Sequence, residues 1–288
     1  MNWPALDAAL AALSTTPFRT GSVIATIYGD AILPRGGSLA LSDLLVLMRR
    51  LGASDGVVRT AVSRLAKDGV LVGRRTGRHS AYALSPTAKT EFGAAVPQIY
   101  AMPTRQWDGR LRLAFPDPGA DRTTLEAAGF ALLAPGVMLA PWNPPPGVVC
   151  LEASGTDATA RALADRAWPL TQLAEMYATF KNVFSSLLPA PEVSSLDAIA
   201  GRVATIHAWR RIALRDRHLP PGLLPPGWPG DTARQLCIDI YSELANSSEA
   251  WLDSTSSGGG PLPSGPDPVQ RFSQAMAPPP GTGEGRTA

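Results

Sequence analysis

The sequence predicts an α+β chain: a winged helix–turn–helix near the N-terminus, a mixed α/β segment in the middle, a helical C-terminal region and a disordered tail. Three observations carry this. Two short amphipathic helix patterns meet at Gly52 and run into a basic strand pair over residues 70–84. Apolar stripes at spacings of three and four recur through residues 156–251. Beyond residue 253, Gly, Pro and Ser supply 19 of the last 35 positions, too little apolar surface to offset the entropy of ordering the chain.

The element-by-element reading starts at residue 41. Ser42 is a good N-cap, and Leu44, Leu47, Met48 and Leu51 share one helical face. Gly52 closes that helix and allows a tight turn. Ser54 is placed to cap the next helix, with Asp55 favourable in its first turn. Val58, Ala61, Val62 and Leu65 then form the buried face. The same period puts Thr60, Ser63, Arg64 and Lys67 on a second stripe, with Arg59 beside it and no acid on it. Hydroxyl and guanidinium groups are the side chains that bond phosphates and base edges. Two short helices joined by a glycine turn match the helix–turn–helix, whose second helix enters the major groove.

Gly69 ends the second helix. Two strands follow around Arg74, Arg75, Arg78 and His79, a basic hairpin of the kind that serves as a wing and reaches a DNA backbone or minor groove. Residues 35–91 hold ten Lys and Arg against four Asp and Glu, a net of +6, which leaves −4 for the remainder of a chain of net +2. A basic module set against a mildly acidic body suits phosphate neutralisation. The candidate DNA-binding set is therefore Ser54, Arg59, Thr60, Ser63, Arg64, Lys67, Arg74, Arg75, Arg78 and His79.

Downstream, residues 110–115 alternate apolar and basic as a half-buried strand does, and residues 123–128 read as a short helix. Residues 137–140 and 148–151 read as strands separated by a proline-rich turn. Leu170, Leu173, Tyr177, Phe180, Phe184 and Leu187 make one helical stripe, with Pro169 suited to its first turn. Ile199, Val203, Ile206 and Ala213 mark a second helix; Ala233, Leu236, Ile240 and Leu244 mark a third. The domain expectation is an N-terminal extension over 1–19, a DNA-binding domain over 20–95, a central domain over 97–155, a helical domain over 156–253 and a tail over 254–288.

The composition narrows the function classes. Cys150 and Cys237 stand far apart with no CxxC spacing, which argues against a disulfide framework or a zinc site; no metal and no cofactor are expected. The N-terminal stretch lacks a basic leader region, and no apolar run approaches the length that spans a bilayer, so a soluble cytoplasmic protein is expected. No nucleophile-elbow, P-loop or metalloprotease motif stands in a convincing context. Asp108, Asp117 and Asp121 are the one weak enzyme signal, a metal-dependent nuclease built on the central segment. A DNA-binding activator or architectural factor is the other alternative, since it needs the same basic module.

At this point the chain resembles the PaaX-like regulators. The resemblance rests on residues 29–37 (Gly-Asp-Ala-Ile-Leu-Pro-Arg-Gly-Gly), residues 58–65 of the basic helix, Trp107-Asp108-Gly109-Arg110, Ile206-His207-Ala208-Trp209-Arg210, and the stretch from Leu223 to Gly230. It implies a ferredoxin-like central domain and a homodimer that represses phenylacetate-catabolic genes until an aryl-acyl-CoA thioester, typically phenylacetyl-CoA, releases it from operator DNA. Such an effector needs cations for phosphates and an apolar slot for its acyl group. Arg105, Trp107 and Arg112, and separately His207, Trp209, Arg210 and Arg211, offer both close together. A lone histidine such as His207 or His218 is more often structural than ligand-binding.

Overall fold

The computed structural model describes residues 3–14, 19–76, 79–103, 106–117, 122–273 and 275–276. In chain order the elements are α1 (Pro4–Ser14), α2 (Thr20–Ile27), β1 (Ser38–Ala40), α3 (Leu41–Arg50), α4 (Asp55–Lys67), β2 (Leu71–Thr76), β3 (His79–Leu84), α5 (Pro86–Tyr100) and β4 (Met102–Pro103). There follow β5 (Leu111–Ala114), α6 (Thr123–Ala127), β6 (Ala131–Ala134), β7 (Val137–Ala140), β8 (Cys150–Ala153), α7 (Asp157–Ala167), α8 (Leu170–Phe184), α9 (Ser195–Ala213), α10 (Gly230–Asp253) and β9 (Ala275–Met276). The chain is thus mixed helix and sheet with a helical C-terminal region. It divides into two compact units: residues 1–101, 178–214 and 231–274 form the first, and residues 102–177, 215–230 and 275–288 the second. The two units are not consecutive along the chain. α8 and α10 each begin in one unit and end in the other, which a linear reading cannot anticipate.

In the first unit α9 is the central element. Ile199, Val203, Ile206, Trp209 and Ile212 are buried, and so are Ala198, Ala200, Ala204 and Ala213 between them. A helix buried on nearly every side belongs inside a core, and its buried polar residues Arg202 and His207 find partners there. Small residues let neighbours approach: a Cβ on Gly201 would lie 2.8 Å from the Trp3 ring and 3.1 Å from Leu244. α1 belongs to this core, with Trp3, Leu6 and Ala9 buried.

α2 passes into one turn of π-helix, Tyr28–Ile32, then a 3-10 turn, Leu33–Arg35. Gly36 and Gly37 follow with φ of 87° and 79°, left-handed conformations that glycine adopts without Cβ strain. The π turn carries Asp30, fully buried. Its Oδ2 accepts from Arg202 Nε (2.8 Å); its Oδ1 accepts from the hydroxyls of Tyr100 (2.7 Å) and Tyr241 (3.0 Å) and from Arg271 (3.2 Å). Burial pushes the Asp30 carboxyl up, but Arg202, Arg271 and Tyr100 outweigh it and hold it below the usual carboxylate range. Arg202 also binds Glu249 (2.6 Å), which in turn takes Arg35 (2.5 Å). Arg35 reaches Asp253 as well (2.8 Å). Each buried charge here has an opposite partner, the condition under which burial is tolerated.

The disordered tail is corrected for residues 254–273. Ala40 N–H donates to Ser256 O, Ser38 Oγ to Ser257 O, and Ser256 N–H to the Asp43 carboxylate, at 2.8–2.9 Å. Leu262 and Phe272 are buried, and Phe272 packs edge-on against Tyr100 and Tyr241. Composition failed here because a few anchors, Leu262, Arg271 and Phe272, fasten a segment that is otherwise turn-forming. Residues 277–288 lie outside the described residues.

The second unit is built on a four-stranded antiparallel sheet of order β6-β7-β5-β8. Leu111 and Leu139 face α7 with Ala160, Ala164, Trp168 and Leu223. Ala114, Met138 and Ala140 face the other way, against Leu125, Phe130 and Trp142. Residues 131–134 also form a strand. The strand expected at 148–151 begins two residues later. A ferredoxin-like fold would place its second helix between β7 and β8; here the proline-rich residues 141–149 make that connection, and the helix α7 follows β8 instead.

Candidate nucleic-acid interface

The first unit carries a three-stranded sheet of order β1-β3-β2 beside α3 and α4. Leu44, Leu47, Met48 and Leu51 of the first helix are buried. The helix starts at Leu41 with Ala40 as its N-cap, so Ser42 lies inside the first turn and is not the cap. Gly52 turns the chain with φ of 88°. Val58 and Val62 seat α4, while Ala61 and Leu65 are half-buried. Ser54 occupies the N-cap position of α4 but makes no capping hydrogen bond, and it is exposed. Gly69, with φ of 73°, releases the chain into β2.

The opposite face of α4 is open. Arg59, Thr60, Ser63, Arg64 and Lys67 are all exposed, and together with Asp68 they line one open, shallow groove on the surface. Thr60 Oγ1 donates back to Gly56 O (3.0 Å). Arg74 and Arg75 are exposed on β2, opposite Ala81 and Ser80 of β3. His79 starts β3, but its side chain and all of Arg78 lie outside the described residues. What this face can do chemically follows from its groups: it presents cationic forks and hydroxyl donors with one carboxylate at the edge, a surface matched to polyanions.

The other candidate residues separate. Arg105 and Asp121 lie outside the described residues. Trp107 rests on Gly222 and donates Nε1–H to Arg110 O (2.7 Å). Arg112 is buried and grips Asp108 through both carboxylate oxygens (2.7 and 2.5 Å), with Glu152 at 3.3 Å. Arg112 holds the Asp108 carboxyl at about 2, chiefly by hydrogen bonding. Asp108 is thus engaged as a structural counter-ion, and among the described residues no acid, histidine or cysteine cluster could hold a metal.

His207 and Trp209 are both buried in the core of the first unit. His207 Nδ1 lies 2.9 Å from the Thr26 hydroxyl, and Trp209 Nε1–H donates to Ile99 O (2.8 Å). Burial, then Arg210 and Arg211, lower the His207 pKa to about 4, so the ring is neutral near pH 7. Arg210 and Arg211 are half-buried. Sequence reasoning missed Asp30 and Arg35, the hubs of the ion network. Their signal was available in the glycine-flanked stretch 29–37, where two charges stand among apolar neighbours.

The fold and its exposed surface define an α+β chain that presents a basic helix beside a basic strand pair. Residues 19–88 match the PaaX-like protein family and residues 168–254 the PaaX-like protein C-terminal domain. The transcriptional repressor PaaX of Escherichia coli (strain K12) is 35% identical over 270 residues, covering 84% of this chain and 85% of that protein. The chain belongs to the PaaX-like protein family. A solved structure, the uncharacterized protein Rv0674 from Mycobacterium tuberculosis, is similar at 24% identity and a TM-score of 0.47, over 73% of this chain and 90% of that one.

Proposed function

We propose that this chain is a DNA-binding transcriptional repressor in which residues 41–84 act as a winged helix–turn–helix. The observation that carries the reading is the exposed face of α4: Arg59, Thr60, Ser63, Arg64 and Lys67 on one groove, backed by Val58 and Val62. Arg59 and Arg64 serve as base-reading residues, Ser54, Thr60, Ser63 and Lys67 as backbone contacts, and Arg74, Arg75, Arg78 and His79 as the wing. The name of the Escherichia coli relative supports the choice of repressor over activator. The chain acts without enzymatic chemistry, in the cytoplasm.

The finer parts of the reading are a homodimer, an operator with two half-sites, control of a phenylacetate-type catabolic operon, and release by a small-molecule effector such as an aryl-acyl-CoA. Dimer symmetry would mirror a palindromic operator. The second unit, read as a ferredoxin-like variant, offers a surface for pairing: edge strand β8 and its approach leave Val149 and Leu151 largely exposed, with Phe115 beside them. A gel shift on the DNA upstream of the chain's own gene tests the core reading. Retarded DNA with the wild-type chain and its loss in an Arg59→Ala/Arg64→Ala variant are expected. Equal retardation by both would remove α4 as the reading helix.

A further inference from the structure

Two residues at the start of α4, Gly56 and Val57, serve neither the core nor the helix. Val57 is 52% exposed, on a helix whose other exposed side chains, Arg59, Thr60, Ser63, Arg64 and Lys67, are charged or hydroxylated. Helix formation does not call for it either: a β-branched residue loses side-chain freedom in a helix and ranks below alanine, lysine or glutamate at a solvent-facing position. Gly56 is exposed as well. A Cβ on it would meet nothing within 4 Å among the described residues, so packing does not require a glycine there, although glycine forms helix less readily than alanine.

Their place on α4 gives the pair a use. The N-terminal residues of a recognition helix are the ones that meet base edges in the major groove. The helical period sets Val57 in line with Thr60 and Arg64, at i, i+3 and i+7. The acid that opens the helix, Asp55, is met by Arg49 at 3.0 Å, so a polyanion approaching this end faces a paired carboxylate. Major-groove edges are hydrogen-bonding groups except for the C5-methyl of thymine, and an apolar side chain is what contacts that methyl. A helix without a side chain at position 56 can lie closer to the duplex than one with it.

We propose that Val57 is a specificity-determining residue that packs its methyl groups on the C5-methyl of one thymine in the bound site, with Gly56 permitting the close approach. The assignment rests on the repressor reading of α4. It adds one apolar contact to a face that otherwise offers cations and hydroxyls, and with it a preference for thymine over cytosine at one position.

Selection by the full chain from a random-sequence duplex pool supplies the DNA. Fluorescence anisotropy then measures affinity for the selected duplex with each thymine replaced in turn by deoxyuridine, which removes only the C5-methyl. The wild-type chain is expected to lose about three- to fivefold at one thymine, or at that thymine and its symmetry mate, the scale of one buried methyl. Val57→Ala should bind the unmodified duplex more weakly by a similar factor, and should lose less than about twofold further on the same deoxyuridine, because the contact is already gone. Gly56→Ala should weaken binding to all duplexes by at least about tenfold while its melting temperature holds or rises, which separates a blocked approach from a folding defect. Wild-type deoxyuridine sensitivity in Val57→Ala would overturn the assignment to Val57, and wild-type affinity in Gly56→Ala would overturn the close approach. A preferred sequence in which no thymine methyl matters sinks the assignment alone. Selection that yields no preferred sequence sinks the repressor reading and the assignment together.

Discussion

Arg59 and Arg64 owe their exposure to the period of α4. Val58 and Val62 face inward at zero and one per cent exposure, so residues one and two positions on must face out. If the pair reads bases, replacing each by alanine should cost about 1–3 kcal/mol and relax specificity at one operator position. Competition gel shifts against single-base operator variants measure both effects. His207 is the contrasting case. Its neighbours Trp209, Arg210 and Arg211 make a cluster that looks ligand-binding in one dimension, yet the imidazole is buried and neutral. An unfolded histidine titrates near 6.5 and the folded one near 4, so the unfolded chain takes up the proton first. Stability is therefore full above pH 6.5 and falls as pH drops toward 4, by up to about 3 kcal/mol. Urea midpoints between pH 7 and 4 should show this slope, and His207→Gln should flatten it. Asp30 and Asp197, both held below the ordinary carboxylate value, add their loss only lower in the acid range.

At the scale of elements, the π turn and the C-terminal strap depend on one another. Arg271 donates to the backbone of Asp30 (2.6 Å) and to its carboxylate, and stacks over Tyr100 with its guanidinium carbon 4.2 Å from the ring centre. Replacing Asp30 by Asn removes the carboxylate that faces Arg271 and one of the two that face Arg202, which should destabilise by about 3–5 kcal/mol. Arg271→Met leaves Asp30 paired with Arg202, so a smaller loss of about 1–3 kcal/mol is expected. Denaturant unfolding that ranks the two variants in the reverse order would show that the strap, and not the carboxylate, is the hub. Close approach limits α9 in the same way. Gly201→Ala sets a methyl 2.8 Å from the Trp3 ring, and should cost about 1–3 kcal/mol by overpacking, with α1 displaced. Trp3 fluorescence in a variant lacking the other tryptophans would report that displacement.

Across the whole molecule, charge is segregated: the stretch 35–91 is net +6 and the remainder net −4. Operator affinity should fall steeply with salt, with a log–log slope near −0.9 for each phosphate neutralised. Arg74→Ala and Arg75→Ala should each lower that slope by about 1 and weaken all sequences alike, whereas the Arg59 and Arg64 variants should change sequence preference. Titrations at several salt concentrations separate the two classes.

What the sequence determined by itself is local and periodic. The stripes of α3, α4 and α9, the glycine breaks at 52 and 69, and the basic run of α4 and β2 follow from spacing along a few turns of chain, where side chains three and four apart share a face whatever packs against them. The α+β class and the helical C-terminal region came from the same signal. Only the tertiary structure decided what depends on distant partners: that α1 joins the core, that residues 254–273 pack into the first unit, and that Asp30 sits among Arg202 and Arg271. Those outcomes turn on pairs separated by more than 150 residues. No local period encodes such a meeting, because burial and charge pairing are set by what the completed fold brings alongside.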